Sequence, residues 1–75
     1  MRKWLKDQRI NLGFTQEEVA EKAGIARTTY AMIEQGERSP SVIVAKKIAQ
    51  SLEFQWTIFF EKEVHESRSE KRVVV

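Results

Sequence analysis

The sequence predicts an all-α domain of five short helices, and three observations carry that expectation. Apolar residues recur at spacings of three and four along most of the chain, the period of a helix with one buried face. The few glycines and the single proline fall between these periodic segments rather than inside them. No pair of alternating runs is joined by the turn residues of a hairpin. Neither an internal repeat nor a low-complexity run interrupts the pattern.

The first helix is expected from about Arg2 to Leu12, where Leu5, Arg9 and Leu12 share a face with Trp4 beside them. Gly13 ends it. The second helix has the clearest start. Thr15-Gln16-Glu17-Glu18 is a capping box, in which the Thr15 hydroxyl accepts from the Glu18 N–H and the Glu18 carboxylate reaches back to Thr15. Phe14 and Val19 flank the box as a hydrophobic staple. Val19, Ala20 and Ala23 face inward, and Gly24 stops the helix. The third helix spans roughly Arg27 to Gln35, with Ile25, Tyr30 and Ile33 toward the core and Gly36 as its end.

The loop after Gly36 leads into a fourth helix. Ser39 as its cap with Pro40 in the first turn is good entry chemistry, and Ser41 is the competing cap. Val44, Ala45, Ile48, Ala49 and Leu52 then recur at helical spacing. A short fifth helix is expected from about Gln55 to Phe60, crowded with Trp56, Ile58, Phe59 and Phe60. These aromatics read as core rather than as a stacking platform for single strands. Residues 1–60 thus make one domain. Residues 61–75 form a charged C-terminal tail, either disordered or a dimer-contact extension, closed by Val73-Val74-Val75.

Composition excludes several classes. The 75 residues support one small core. There is no cysteine, so neither a disulfide framework nor a cysteine-based zinc site can form. The lone His65 builds no metal site by itself, and no phosphate-binding glycine loop occurs, so an enzyme is not expected, nor a cofactor, metal or small-molecule substrate. No stretch is long and apolar enough to span a bilayer, and the charged start lacks the apolar core of a signal peptide. A cytoplasmic protein is expected. The net charge is only +2, so any polyanion partner must be recognised by where the charges sit. Arg2, Lys3 and Lys6 read as a basic surface on the first helix, and Lys46 and Lys47 as solvated.

Two short helices joined by a glycine-containing turn, here Gln16 to Gln35, are the physical unit of a helix-turn-helix. Around it stand Arg9 before Gly13, Thr15-Gln16-Glu17-Glu18-Val19-Ala20, Gly24, Arg27-Thr28, Ile33-Glu34-Gln35-Gly36, Arg38-Ser39-Pro40-Ser41, and Ala45-Lys46-Lys47-Ile48-Ala49 before Leu52. This series resembles the phage-repressor (Cro/XRE-type) helix-turn-helix family over roughly Leu5 to Phe60.

The resemblance implies a five-helix, lambda-repressor-like domain that binds double-stranded DNA. It implies that the third helix lies in the major groove, usually as a two-fold homodimer on a palindromic operator. Gln16 then lies close to a phosphate or a base edge. Arg27 and Thr28 occupy the exposed start of the recognition helix, with Met32 one turn further. Gln35, Arg38 and Ser39 lie where the family touches the sugar-phosphate backbone. Arg9 and Glu34 match an ion pair between the first and third helices and are assigned to the fold.

The chemistry of these side chains fits the assignment. Arginine offers two donors that match the acceptors of guanine, while a threonine or methionine methyl can meet that of thymine. Three departures from the family stand out. Ala26 occupies the place of a frequent capping serine, Glu37 that of a common basic residue, and Glu53 that of a frequent glycine, where an altered turn is expected. The resulting expectation is sequence-specific DNA binding and transcriptional regulation, with repression as its simplest output. A protein-binding adaptor or antitoxin on the same fold is the alternative.

Overall fold

The computed structural model describes residues 1–61. Four helices are complete: α1 (Lys3–Asn11), α2 (Gln16–Ala23), α3 (Arg27–Gln35) and α4 (Val42–Leu52). After a turn, residues 58–61 are helical as α5, later than the expected start near Gln55. No strand occurs among the described residues. The expected tail beyond Glu61, with His65 and Val73-Val74-Val75, lies outside them.

The helix boundaries follow from local chemistry. Thr15 accepts from the Glu18 N–H at 3.1 Å while Glu18 Oε1 accepts from the Thr15 N–H at 2.8 Å, so both halves of the capping box are made. At α4 the cap is Ser41, whose hydroxyl accepts from the Val44 N–H at 3.2 Å. Ser39 is therefore not the cap, and Pro40 is buried just outside the helix instead of starting it. At its far end α4 keeps the left-handed turn that glycine usually supplies. Glu53 adopts φ 60° and ψ 49°, so its replacement of glycine leaves the turn in place and strains it. A left-handed conformation costs an L-residue about 1–2 kcal/mol. Glu53→Gly is therefore expected to stabilise the domain by about 1 kcal/mol, after the added chain entropy of glycine is deducted. Thermal unfolding followed by circular dichroism checks it.

α2 packs against both α3 and α4, and α1 lies on α3. Leu5, Val19, Ala20, Ala23, Tyr30, Ile33, Ala45, Ile48, Leu52 and Phe59 form one buried cluster. Ala20 and Ala23 are small where α2 meets its neighbours, which lets the short helices approach closely. At one pole Trp4 meets Phe54 and Phe59 edge-on, at 5.3 and 5.2 Å between ring centres, joining α1 to the segment after α4. Gln8 adds a polar tie, its amide donating to the Leu52 carbonyl at 2.8 Å. Leu12 departs from expectation. It follows the last full turn of α1 and is exposed, so the inward face of that helix is carried by Leu5 and Arg9.

Candidate nucleic-acid interface

The turn between α2 and α3 sets the geometry of the unit. Gly24 takes φ 71°, the Gly24 N–H reaches the Glu21 carbonyl, and the Ile25 N–H reaches back to the Ala20 carbonyl at 3.0 Å. This pair of bonds closes the helix and reverses the chain within three residues. Ala26 then takes an extended conformation, φ −70° and ψ 147°, close to that of the Ser41 cap, but supplies no side-chain cap to α3. The backbone is thus already shaped for a capping hydroxyl. Ala26→Ser is expected to raise stability by about 0.5–2 kcal/mol, measured as a shift of the denaturant midpoint at unchanged slope.

One buried carboxylate mounts α3 on the other helices. Glu34 is 1 % exposed and receives four hydrogen bonds. Arg9 of α1 donates twice, from Nε at 2.7 Å and from Nη2 at 3.2 Å. Gln16 Nε2 of α2 donates at 2.9 Å, and the Tyr30 hydroxyl, one turn earlier on α3, at 2.8 Å. Arg9 Nη1 also donates to the Phe14 carbonyl at 2.9 Å, fixing the link between α1 and α2. Burial alone pushes the Glu34 carboxyl up. The hydrogen bonds from Arg9, Gln16 and Tyr30, with the Arg9 charge, outweigh it and hold the carboxyl below the usual carboxylate range. The hydrogen bond to Glu34 raises Arg9, against burial, and burial followed by that same carboxylate raises the Tyr30 phenol.

With Tyr30, Ile33 and Glu34 turned inward, the opposite face of α3 is left to solvent. Thr28, Met32 and Gln35 are exposed on it, Met32 by 39 %, and Arg27 is exposed beside it at the first residue of the helix. Gln16 is half-buried, with its amide nitrogen turned in toward Glu34. It lines one open depression with Arg27, beside Thr15 and Glu17, so the starts of α2 and α3 face the same space. Arg38 and Ser39 are exposed in the loop after α3. Among the described residues no three His, Asp or Glu side chains gather as a metal site, and no helix is long and apolar enough to cross a membrane.

Two features escape sequence reasoning. Gln16 belongs to the buried network as well as to the outer surface, which spacing along the chain cannot reveal. Arg2 is not a surface charge. It is buried, and its guanidinium donates to the Ile33 and Arg38 carbonyls. Only the choice of arginine over lysine at this position hints at such bridging.

The family profile described as helix-turn-helix matches residues 5–59, which takes in α1 from Leu5 onward, all of α2 to α4 and the whole of this surface. The chain belongs to the helix-turn-helix family. It is 60 % identical over 68 residues to a Bacillus subtilis protein named uncharacterized HTH-type transcriptional regulator YqaF, covering 91 % of this chain and 90 % of that one. A Methanothermobacter thermautotrophicus protein, named as an uncharacterized HTH-type transcriptional regulator, is 46 % identical over 52 residues, covering 69 % of this chain and 75 % of its own length. YgzD of Bacillus subtilis, named likewise, is 37 % identical over 51 residues, covering 68 % and 77 %. No solved structure matches the chain at a significant level. The helix-turn-helix is α2, the Gly24 turn and α3, in a regulator of the XRE type, and its partner is double-stranded DNA.

Proposed function

We propose that this helix-turn-helix protein binds a palindromic operator as a homodimer and represses transcription by blocking access of the polymerase. The observation that carries this reading is the exposed face of α3, mounted on a carboxylate shared by three helices. Arg27 presents a planar fork to guanine, Thr28 a hydroxyl and a methyl, and Met32 an apolar contact for a thymine methyl. Gln35, Arg38 and Ser39 meet the sugar-phosphate backbone. Gln16 adds a contact at the start of α2, where backbone N–H groups also suit a phosphate. Residues 1–60 are the DNA-binding domain, and the protein acts in the cytoplasm.

The dimer follows from magnitude. One domain with a net charge of only +2 and an acidic Glu37 beside Arg38 gains little from counterion release. Two domains joined on one duplex gain in effective concentration what each lacks. Selection of the full chain on random duplexes tests the reading. It is expected to enrich a two-fold symmetric motif with half-sites about 34–36 Å apart. A single asymmetric half-site overturns the homodimer. Failure to enrich any sequence at low salt overturns operator binding and favours the adaptor or antitoxin reading.

A further inference from the structure

Arg2 differs from Arg27 and Arg38, which are exposed on and beside the reading face. It is 8 % exposed, too deep to touch DNA itself. Its backbone N–H donates to the Glu34 carbonyl at 2.8 Å. Its guanidinium Nη1 donates to the Ile33 carbonyl and, at 3.2 Å, to the Arg38 carbonyl. The same guanidinium lies 5.7 Å from the centre of the Phe59 ring. Ile33 and Glu34 belong to the last turn of α3, whereas Arg38 lies in the loop that follows it.

Helix ends leave carbonyls that need partners, and a cation is favoured there by the helix dipole. At the end of α3 the Gly36 and Glu37 N–H groups serve the Ile33 and Met32 carbonyls. Arg2 adds a donor to Ile33 and supplies one to Glu34, and then spans to the loop. One rigid planar group thereby joins the end of the recognition helix to the segment that presents Arg38 and Ser39.

We propose that Arg2 is a positioning residue for DNA binding. It holds the loop of residues 36–41 in fixed relation to the outer face of α3, so that base-edge and backbone contacts meet one duplex together. A loop ordered in advance spares the complex the entropy of ordering it on binding. The proposal rests on the reading of Arg38 as a backbone contact.

The test measures operator affinity of the full-length protein between 50 and 200 mM salt. It compares wild type, Arg38→Ala, Arg2→Met, Arg2→Lys and the Arg2→Met/Arg38→Ala double variant. All are assayed well below their unfolding midpoints. Loss of one phosphate contact lowers the logarithmic salt slope by about 0.9, a change of roughly three- to fourfold in the affinity ratio across that range. Arg38→Ala is expected to show that loss. Arg2→Met is expected to show a similar one with unchanged base preference, and the double variant no more than Arg38→Ala alone.

Arg2→Lys keeps the charge but not the bridging fork, and its slope is expected to fall in the same direction. It serves as the test if Arg2→Met does not fold. A reduced slope in Arg38→Ala with wild-type slopes in both Arg2 variants overturns the positioning role and leaves Arg2 structural. A wild-type slope in Arg38→Ala overturns the loop's backbone contact, and the role of Arg2 falls with it.

Discussion

Glu34→Ala is expected to destabilise the domain by about 3–5 kcal/mol, the cost of leaving a buried charge without its partner. Arg9 is only 9 % exposed and would keep its charge without the carboxylate that takes two of its hydrogen bonds. Gln16 and Tyr30 would each lose an acceptor at the same time. Small domains have total stabilities near 5 kcal/mol at the lower end, so most of the folded population is at stake. For a domain of this size each kcal/mol moves the midpoint by about 4–8 °C. Chemical denaturation of Glu34→Ala measures the effect, and the singles Arg9→Met and Glu34→Leu are compared with the Arg9→Met/Glu34→Leu double variant. The double variant is expected to lose less than the sum of the singles, because neither charge is then left alone. Additive losses would show that the pair is not coupled.

The same carboxyl predicts an acid limb of stability. Its folded-state value lies below the usual one, so the folded protein releases that proton more readily than the unfolded chain. The stabilisation is complete above the ordinary carboxylate range and is lost as pH falls through the folded value. Tyr30 acts in the opposite sense. Its raised phenol contributes nothing to pH dependence below the ordinary phenol range, and stability falls as pH rises beyond it. Glu34→Gln is expected to flatten the acid limb, read as denaturant midpoints from pH 3 to 7; an unchanged limb would place it on other carboxyls.

Arg27→Ala is expected to weaken operator binding by about 1–3 kcal/mol and to relax preference at one base position in each half-site. Arg27 is exposed at the first residue of α3 and gives no hydrogen bond to the Glu34 carboxylate, so the fold should be little affected. Titration against duplexes substituted one base pair at a time distinguishes the possible roles. Equal weakening on all sequences would make Arg27 a phosphate contact instead of a reader of bases.

Much of the fold is legible in the sequence because its signals are local. The capping box, the glycine stops at Gly13, Gly24 and Gly36 and the inward residues of α2 and α3 depend on neighbours within a turn. The misreadings concern contacts across the chain. The burial of Arg2 depends on carbonyls more than thirty residues away. Leu12 keeps the helical spacing of its neighbours, yet the helix ends before it and leaves it 36 % exposed. Ser39 and Ser41 are equally good capping residue types, and only the folded backbone shows that Ser41 makes the bond, with Pro40 buried before it. Glu53 holds a turn that its residue type disfavours, a case of tertiary packing overriding local preference. For the interface, the exposed positions on α3 follow from periodicity, but the attachment of Gln16 to Glu34 becomes visible only when the helices meet.

In the proposed complex the outer face of α3 lies in the major groove, twice on each operator. Chemical methylation of the selected duplex in the presence of the protein tests this most directly, because it marks guanine N7 in the major groove and adenine N3 in the minor groove. Protection of guanine N7 in two patches about one helical turn apart is the predicted result. Protection confined to adenine N3, or no protection at saturating protein, would contradict it.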